Sequence, residues 1–161
     1  MEKIFNEEQL YNEFFDVIYR ICFLYIGQES DTYDMVQDTF EKMLKYKPQF
    51  ESMEKAKAWL IVTASNVCKT YLKKWWHKKR IAYEPEMINA SGNQTDEDDL
   101  KEIICKLDSK YSILLFLYYY EGYKLREIAD MLKENESTLK TRLVKARQLL
   151  KNELEESDYE N

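Results

Sequence analysis

Only three glycines and two prolines punctuate the 161 residues of this chain. Sheet proteins need frequent tight turns, and those turns draw heavily on glycine and proline. So few of either predicts long helices, and the expected fold class is all-α. Hydrophobic residues make up 45% of the sequence, enough to bury a core and to exclude wholesale disorder. The length suits one ordinary domain or two small ones.

Apolar spacing supports that reading. Leu10, Phe14, Val17, Ile18 and Ile21 recur at helical intervals over residues 7–26, and Gly27 stands where a helix would end. Ser30 is placed to cap a second helix carrying Val36, Phe40, Met43 and Leu44, with Pro48 as its stop. A third helix is expected from about Glu54 to Lys79, its inner stripe being Ala56, Trp59, Leu60, Thr63, Val67 and Tyr71. These three should pack as one bundle over residues 1–82. Residues 83–99 have no usable period. They hold Pro85 and Gly92, then an acidic run at 96–99, and read as a flexible acidic linker. Residues 100–161 form a second unit. Leu107-Asp108-Ser109 offers a cap for a helix through Tyr120, with Ile113, Leu114 and Leu117 inward. Glu121-Gly122-Tyr123 breaks it. A short helix over 124–132 and a longer one over 136–154 follow, joined by Lys133-Glu134-Asn135. Asn135 is a plausible cap for the last helix. An acidic tail closes the chain.

The net charge of −6 speaks against nucleic acid, but the total conceals segregation. Residues 55–83 contain eight Lys or Arg and no Asp or Glu; residues 137–152 contain five and again no acid. Acid is concentrated elsewhere. Two acid-free runs, both on predicted helices, point to anionic partners more strongly than one would.

Three separated cysteines (Cys22, Cys68 and Cys105) suggest neither a disulfide framework nor a metal cluster, and they fit buried thiols in a reducing compartment. His77 is the sole histidine. No phosphate loop or nucleophile–base–orienter set is visible, so neither enzymatic activity nor a cofactor or small-molecule substrate is expected. The most apolar stretch, residues 17–26, contains Arg20 and falls well short of the ~20 residues that a membrane span needs. A cytoplasmic location is expected.

The last two helices fit a helix-turn-helix, whose second helix enters the major groove. Ser137, Thr138, Lys140, Thr141, Arg142 and Lys145 lie at least partly off its apolar stripe and are residue types that bond bases and phosphates. A plain helical hairpin with a solvated basic face is the blander reading. Ala129 is small, as a close helix crossing requires. On the third helix, Lys69, Lys73, Trp76 and Arg80 recur on a separate face, where cations can track phosphates and an indole can stack on an unpaired base. Trp75 continues the inner stripe and is expected in the core; Trp76 is expected outside.

These blocks resemble the extracytoplasmic-function (ECF) sigma factors, compact bacterial members of the sigma-70 superfamily. Asp34-Met35-Val36-Gln37-Asp38-Thr39-Phe40 resembles the family's D-x-V-Q-[ED]-T-F helix. Ala58-Trp59-Leu60, Ala64, Asn66 and Tyr71-Leu72-Lys73-Lys74 resemble its second block. Leu107, Tyr118 to Gly122, Glu127-Ile128-Ala129 and the segment 137–143 resemble its C-terminal block. The match covers nearly the whole chain in order. Ser65, Thr70, Asp108, Lys133 and Glu134 depart from it, Lys133 standing where a turn glycine is common.

The resemblance implies a sigma subunit whose partners are core RNA polymerase, promoter DNA and, as for many members of the family, an anti-sigma factor. Asp34, Gln37, Asp38 and Phe40 would dock on the clamp helices of the largest polymerase subunit. Asn66, Lys69, Lys73, Lys74, Trp76 and Arg80 would hold the opened −10 element. Ser137, Thr138, Lys140, Thr141, Arg142 and Lys145 would read the −35 element. The acidic linker would thread toward the RNA path of the enzyme. A dimeric helix-turn-helix regulator and a helical adaptor without DNA contact are the other readings; neither accounts for all the blocks.

Overall fold

The computed structural model describes residues 5–78 and 102–159, the side chains of 75–78 and 157–159 excepted. The chain divides into two compact units, Met1–Glu84 and Pro85–Asn161. Among the described residues there are helices and turns but no strand. The stretch read as the linker, and Arg80, lie outside the described residues.

Three helices build the first unit: α1 (Glu7–Ile26), α2 (Glu29–Tyr46) and α3 (Met53–Lys78). The Asn6 side chain caps α1 by accepting the Glu8 N–H at 2.9 Å. Gly27 closes the helix at φ 77°, donating its N–H to Phe23 O at 2.8 Å, in the left-handed conformation that glycine adopts freely. The chain turns at once into α2, two residues earlier than a Ser30 cap would have allowed. Gln28 is the cap instead, in extended backbone, its Oε1 accepting from the Asp31 N–H at 3.2 Å. Lys47 ends α2 at φ 48°, ahead of Pro48.

Each of the three helices packs on the other two. The core is built from Leu10, Phe14, Ile18, Ile21 and Cys22 of α1 and from Met35, Val36, Phe40 and Met43 of α2. From α3 come Ala56, Leu60, Ile61, Ala64, Val67 and Cys68. Two buried lines depart from the sequence reading. The inward line of α2 includes Thr32 and Thr39, both fully buried, whose hydroxyls donate to Gln28 O and Met35 O within the helix. That line turns Leu44 outward, to 48% exposure. On α3, Ile61, Ala64 and Cys68 share the buried line, while Trp59, Thr63 and Tyr71 stand half-buried at its edge. Trp59 meets Phe50 edge-on at 5.8 Å. The thiols of Cys22 and Cys68 face one another; that contact first, and burial second, push Cys68 well above the ordinary thiol range. Cys105 is half-buried rather than buried.

In the second unit, residues 102–105 are helical and supply Ile103 and Ile104 to the core. Asp108 precedes α4 (Ser109–Leu115); its carbonyl, not its carboxylate, accepts the first N–H groups, from Tyr111 and Ser112. The helix then widens into a π-helical turn, Phe116–Tyr120. After Gly122 comes α5 (Leu125–Leu132), whose Glu127 carboxylate accepts the Lys124 N–H at 3.0 Å. Lys133 turns the chain at φ 56°, and α6 (Glu136–Tyr159) follows, five residues beyond its expected end. Leu139, Leu143 and Ala146 of α6 are buried against α4 and α5; Leu125 and Leu150 are half-buried. Ala129, 6% exposed, is buried with them. No described helix is long and apolar enough to cross a membrane, and the described residues hold no group of three potential metal ligands.

Two stability predictions arise here. Lys133 occupies a left-handed conformation that a Cβ disfavours, so Lys133→Gly should stabilise the second unit by about 0.5–1 kcal/mol. Thermal denaturation checks this, and a lowered midpoint would refute it. In the first unit the Ser65 hydroxyl is buried with no hydrogen-bond partner among the described residues. Ser65→Ala should therefore raise stability, by up to about 1 kcal/mol. A loss of similar size in urea unfolding would mean that the hydroxyl is satisfied.

Candidate nucleic-acid interface

Three polar faces emerge once the cores are removed from consideration. On α2, Asp34, Gln37 and Asp38 are exposed at i, i+3 and i+4 and form one surface. Phe40 is not part of that surface: it is 4% exposed and packs edge-on against Tyr11 at 4.7 Å, supporting the face from beneath. Exposed Tyr33 and Leu44 flank the polar residues, and the sequence reading had given them no role outside the core. Tyr33 leans on Tyr19 of α1 at 5.1 Å. On α3, burial foremost, then hydrogen bonding to Asp31 and the charges of Asp31 and Asp34, raise the Tyr71 phenol above the usual range.

The second face lies on α3. Asn66, Lys69, Lys73 and Lys74 are all exposed, and the first three fall at i, i+3 and i+7 on one side of the helix. None of the described residues is ion-paired with them. The side chains of Trp75 and Trp76, expected in the core and outside it respectively, lie outside the described residues.

The third face is on α6. Ser137, Thr138, Lys140, Thr141 and Lys145 are exposed over its first three turns, and the Thr141 hydroxyl donates to Ser137 O at 3.3 Å. Arg142 differs. It is half-buried and reaches back across the turn to Glu134, Nη2 to Oε1 3.4 Å. Its guanidinium ties the start of α6 to the α5–α6 turn. Val144 is 67% exposed among the polar readers, a position that periodicity alone does not distinguish from a core valine. An exposed aliphatic group on such a face suits contact with a thymine methyl.

A polar helix face projecting from a helix-turn-helix, with a second cationic face on a separate helical unit, defines a two-part DNA-binding protein. Residues 10–77 match the family model Sigma-70 region 2, and residues 97–150 match Sigma-70, region 4. The RNA polymerase sigma factor SigV of Bacillus subtilis is 30% identical over 144 residues, covering 87% of this chain and 86% of that protein. The ECF RNA polymerase sigma factor SigM of the same organism is 25% identical, covering 89% of this chain and 92% of its own. The sigma factor RpoE, solved in complex with the anti-sigma factor NepR from Bartonella quintana, shares the fold. Its TM-score is 0.77 at 20% identity, over 92% of this chain and 96% of that one. The chain belongs to the sigma-70 family of RNA polymerase sigma factors, in its ECF group. It is a specificity subunit that binds core RNA polymerase and directs initiation at promoters.

The Arg142–Glu134 pair yields a prediction. Its side chains are 19% and 36% exposed, so solvent screens it, and Glu134→Gln should lower stability by no more than about 1 kcal/mol. Chemical denaturation checks this; a loss several times larger would show that the pair holds the turn together.

Proposed function

We propose a division of labour among the three faces. The α6 face, led by Ser137, Thr138, Lys140 and Thr141 with Lys145 behind them, reads the −35 element in the duplex. Arg142, paired with Glu134, shares its rim. Asn66, Lys69, Lys73 and Lys74, continued by Trp76 and Arg80, hold the non-template strand of the opened −10 element. Asp34, Gln37 and Asp38, with Phe40 beneath, dock on the clamp helices of the largest polymerase subunit. The subunit acts in the bacterial cytoplasm and is itself non-catalytic. The observation that carries this reading is the acid-free run 137–152, whose donors are exposed on α6 of a chain that is otherwise net acidic. Sigma-family membership leaves nothing for a dimeric operator-binding regulator to explain. A restraining partner such as the one bound to RpoE fits the exposed faces of the free chain.

Run-off transcription with bacterial core polymerase on a pool of promoter fragments tests the proposal. The protein should add specific transcripts, and Lys140→Ala combined with Arg142→Ala should abolish them while co-elution with core is retained. Absence of both transcripts and co-elution would overturn it. The free chain should bind DNA weakly and with steep salt dependence, since each face offers only a handful of cations. Tight, salt-resistant binding by the isolated chain would contradict the division of labour.

A further inference from the structure

Arg147 has no part in the reader face described above, yet it makes one hydrogen bond and two cation–ring contacts within the second unit. Its Nε donates to the Tyr119 hydroxyl at 2.5 Å. Its guanidinium carbon sits 5.6 Å from the Tyr119 ring centre and 5.9 Å from that of Tyr118. The two rings meet edge-to-face at 4.9 Å and 87°. They are consecutive residues within the π-helical turn Phe116–Tyr120. In an ordinary α-helix, neighbours point about 100° apart. Such single-turn widenings are frequent at functional sites.

The arrangement holds the charge without neutralising it. Residues 137–152 contain no Asp or Glu, and no carboxylate among the described residues pairs with Arg147. Both Arg147 and Tyr119 remain exposed, Tyr119 at 51%. A guanidinium has five N–H donors. One is engaged by the tyrosine oxygen, which leaves four. Because that oxygen accepts from Arg147, the Tyr119 O–H is itself free to donate. The result is a pre-set group of donors with a planar fork, the geometry that suits phosphate oxygens.

Position supplies the ligand. Lys140, Val144, Arg147 and Lys151 fall at i, i+4, i+7 and i+11 and make one exposed stripe of α6. Arg147 lies seven residues beyond Lys140, roughly 10 Å along the axis at 1.5 Å per residue. The major groove is about 12 Å wide. When Lys140 is at base edges, Arg147 stands at the rim, beside the sugar–phosphate backbone.

We propose that Arg147 and Tyr119 form a backbone clamp, a site for a phosphodiester oxygen of the strand bordering the groove that α6 reads. The proposal rests on the reading of α6 as a duplex reader. The clamp sets the depth and angle of the helix and carries no sequence information.

The test uses the chain assembled with core polymerase and a promoter duplex whose −35 region the wild-type assembly protects. Affinity is measured across a salt series. Arg147→Gln should lower the log–log salt slope by about 0.9. It should also weaken binding about tenfold, alike on the selected duplex and on duplexes with altered −35 base pairs. Tyr119→Phe should weaken binding while keeping the slope. Arg147→Lys, which keeps the charge but not the fork, should behave as Tyr119→Phe does. An unchanged slope in Arg147→Gln, wild-type affinity in Arg147→Lys, altered discrimination among −35 sequences, or a defect confined to assembly with core would each overturn the clamp. Failure of the wild-type assembly to protect any −35 duplex would overturn the α6 reading itself, and the clamp with it.

Discussion

Leu139, Leu143 and Ala146 seat α6 against α4 and α5, and everything the second unit does with its polar side chains follows from that seam. A helix that buries one stripe must present the opposite one. Here the presented side carries Ser137, Lys140, Thr141 and Val144. Rotating α6 by one residue would turn the readers toward the apolar interior and expose the leucines. The seam is therefore both the stability of the unit and the aim of its DNA face. The same logic governs α2, where buried Val36, Thr39 and Met43 hold Asp34, Gln37 and Asp38 outward.

Much of this architecture was legible from periodicity and punctuation. Gly27, Pro48 and Gly122 mark breaks that the structure places where they were expected, because those residues act locally and no tertiary contact competes with them. Misreadings arose where polar residues entered the core. Thr32 and Thr39 satisfy their hydroxyls inside their own helix, and so a buried line of α2 looked wet in the sequence and Leu44 looked dry. The cap of α2 differs as well: α1 ends at Ile26, Gly27 alone separates it from the cap, and Gln28 caps with a longer side chain than the serine favoured by statistics. The end of α6 was placed short since the acidic residues beyond Asn152 carry no apolar period to extend it.

The candidate faces were legible as charge patterns, but their internal bonding was not. Arg142 reads as one more cation on a basic helix until Glu134 is seen eight residues behind it. Arg147 and Tyr119 are 28 residues apart, and the wide turn that brings the tyrosine to the arginine has no simple sequence signal. Lys133 is the reverse case. The departure from glycine leaves the turn intact, with the lysine held in the left-handed conformation that glycine would occupy freely.

The segregation of charge along the chain has a consequence at the scale of the chromosome. A genome presents ~10⁶–10⁹ non-specific sites, and a uniformly cationic protein is largely sequestered on them. This chain is net −6, with 13 of its 24 Lys and Arg in two acid-free runs; it is repelled by bulk DNA at long range and attracted only where those runs are brought close. The free subunit therefore gains little from non-specific DNA, and its cationic faces count chiefly once it is assembled with polymerase at a promoter.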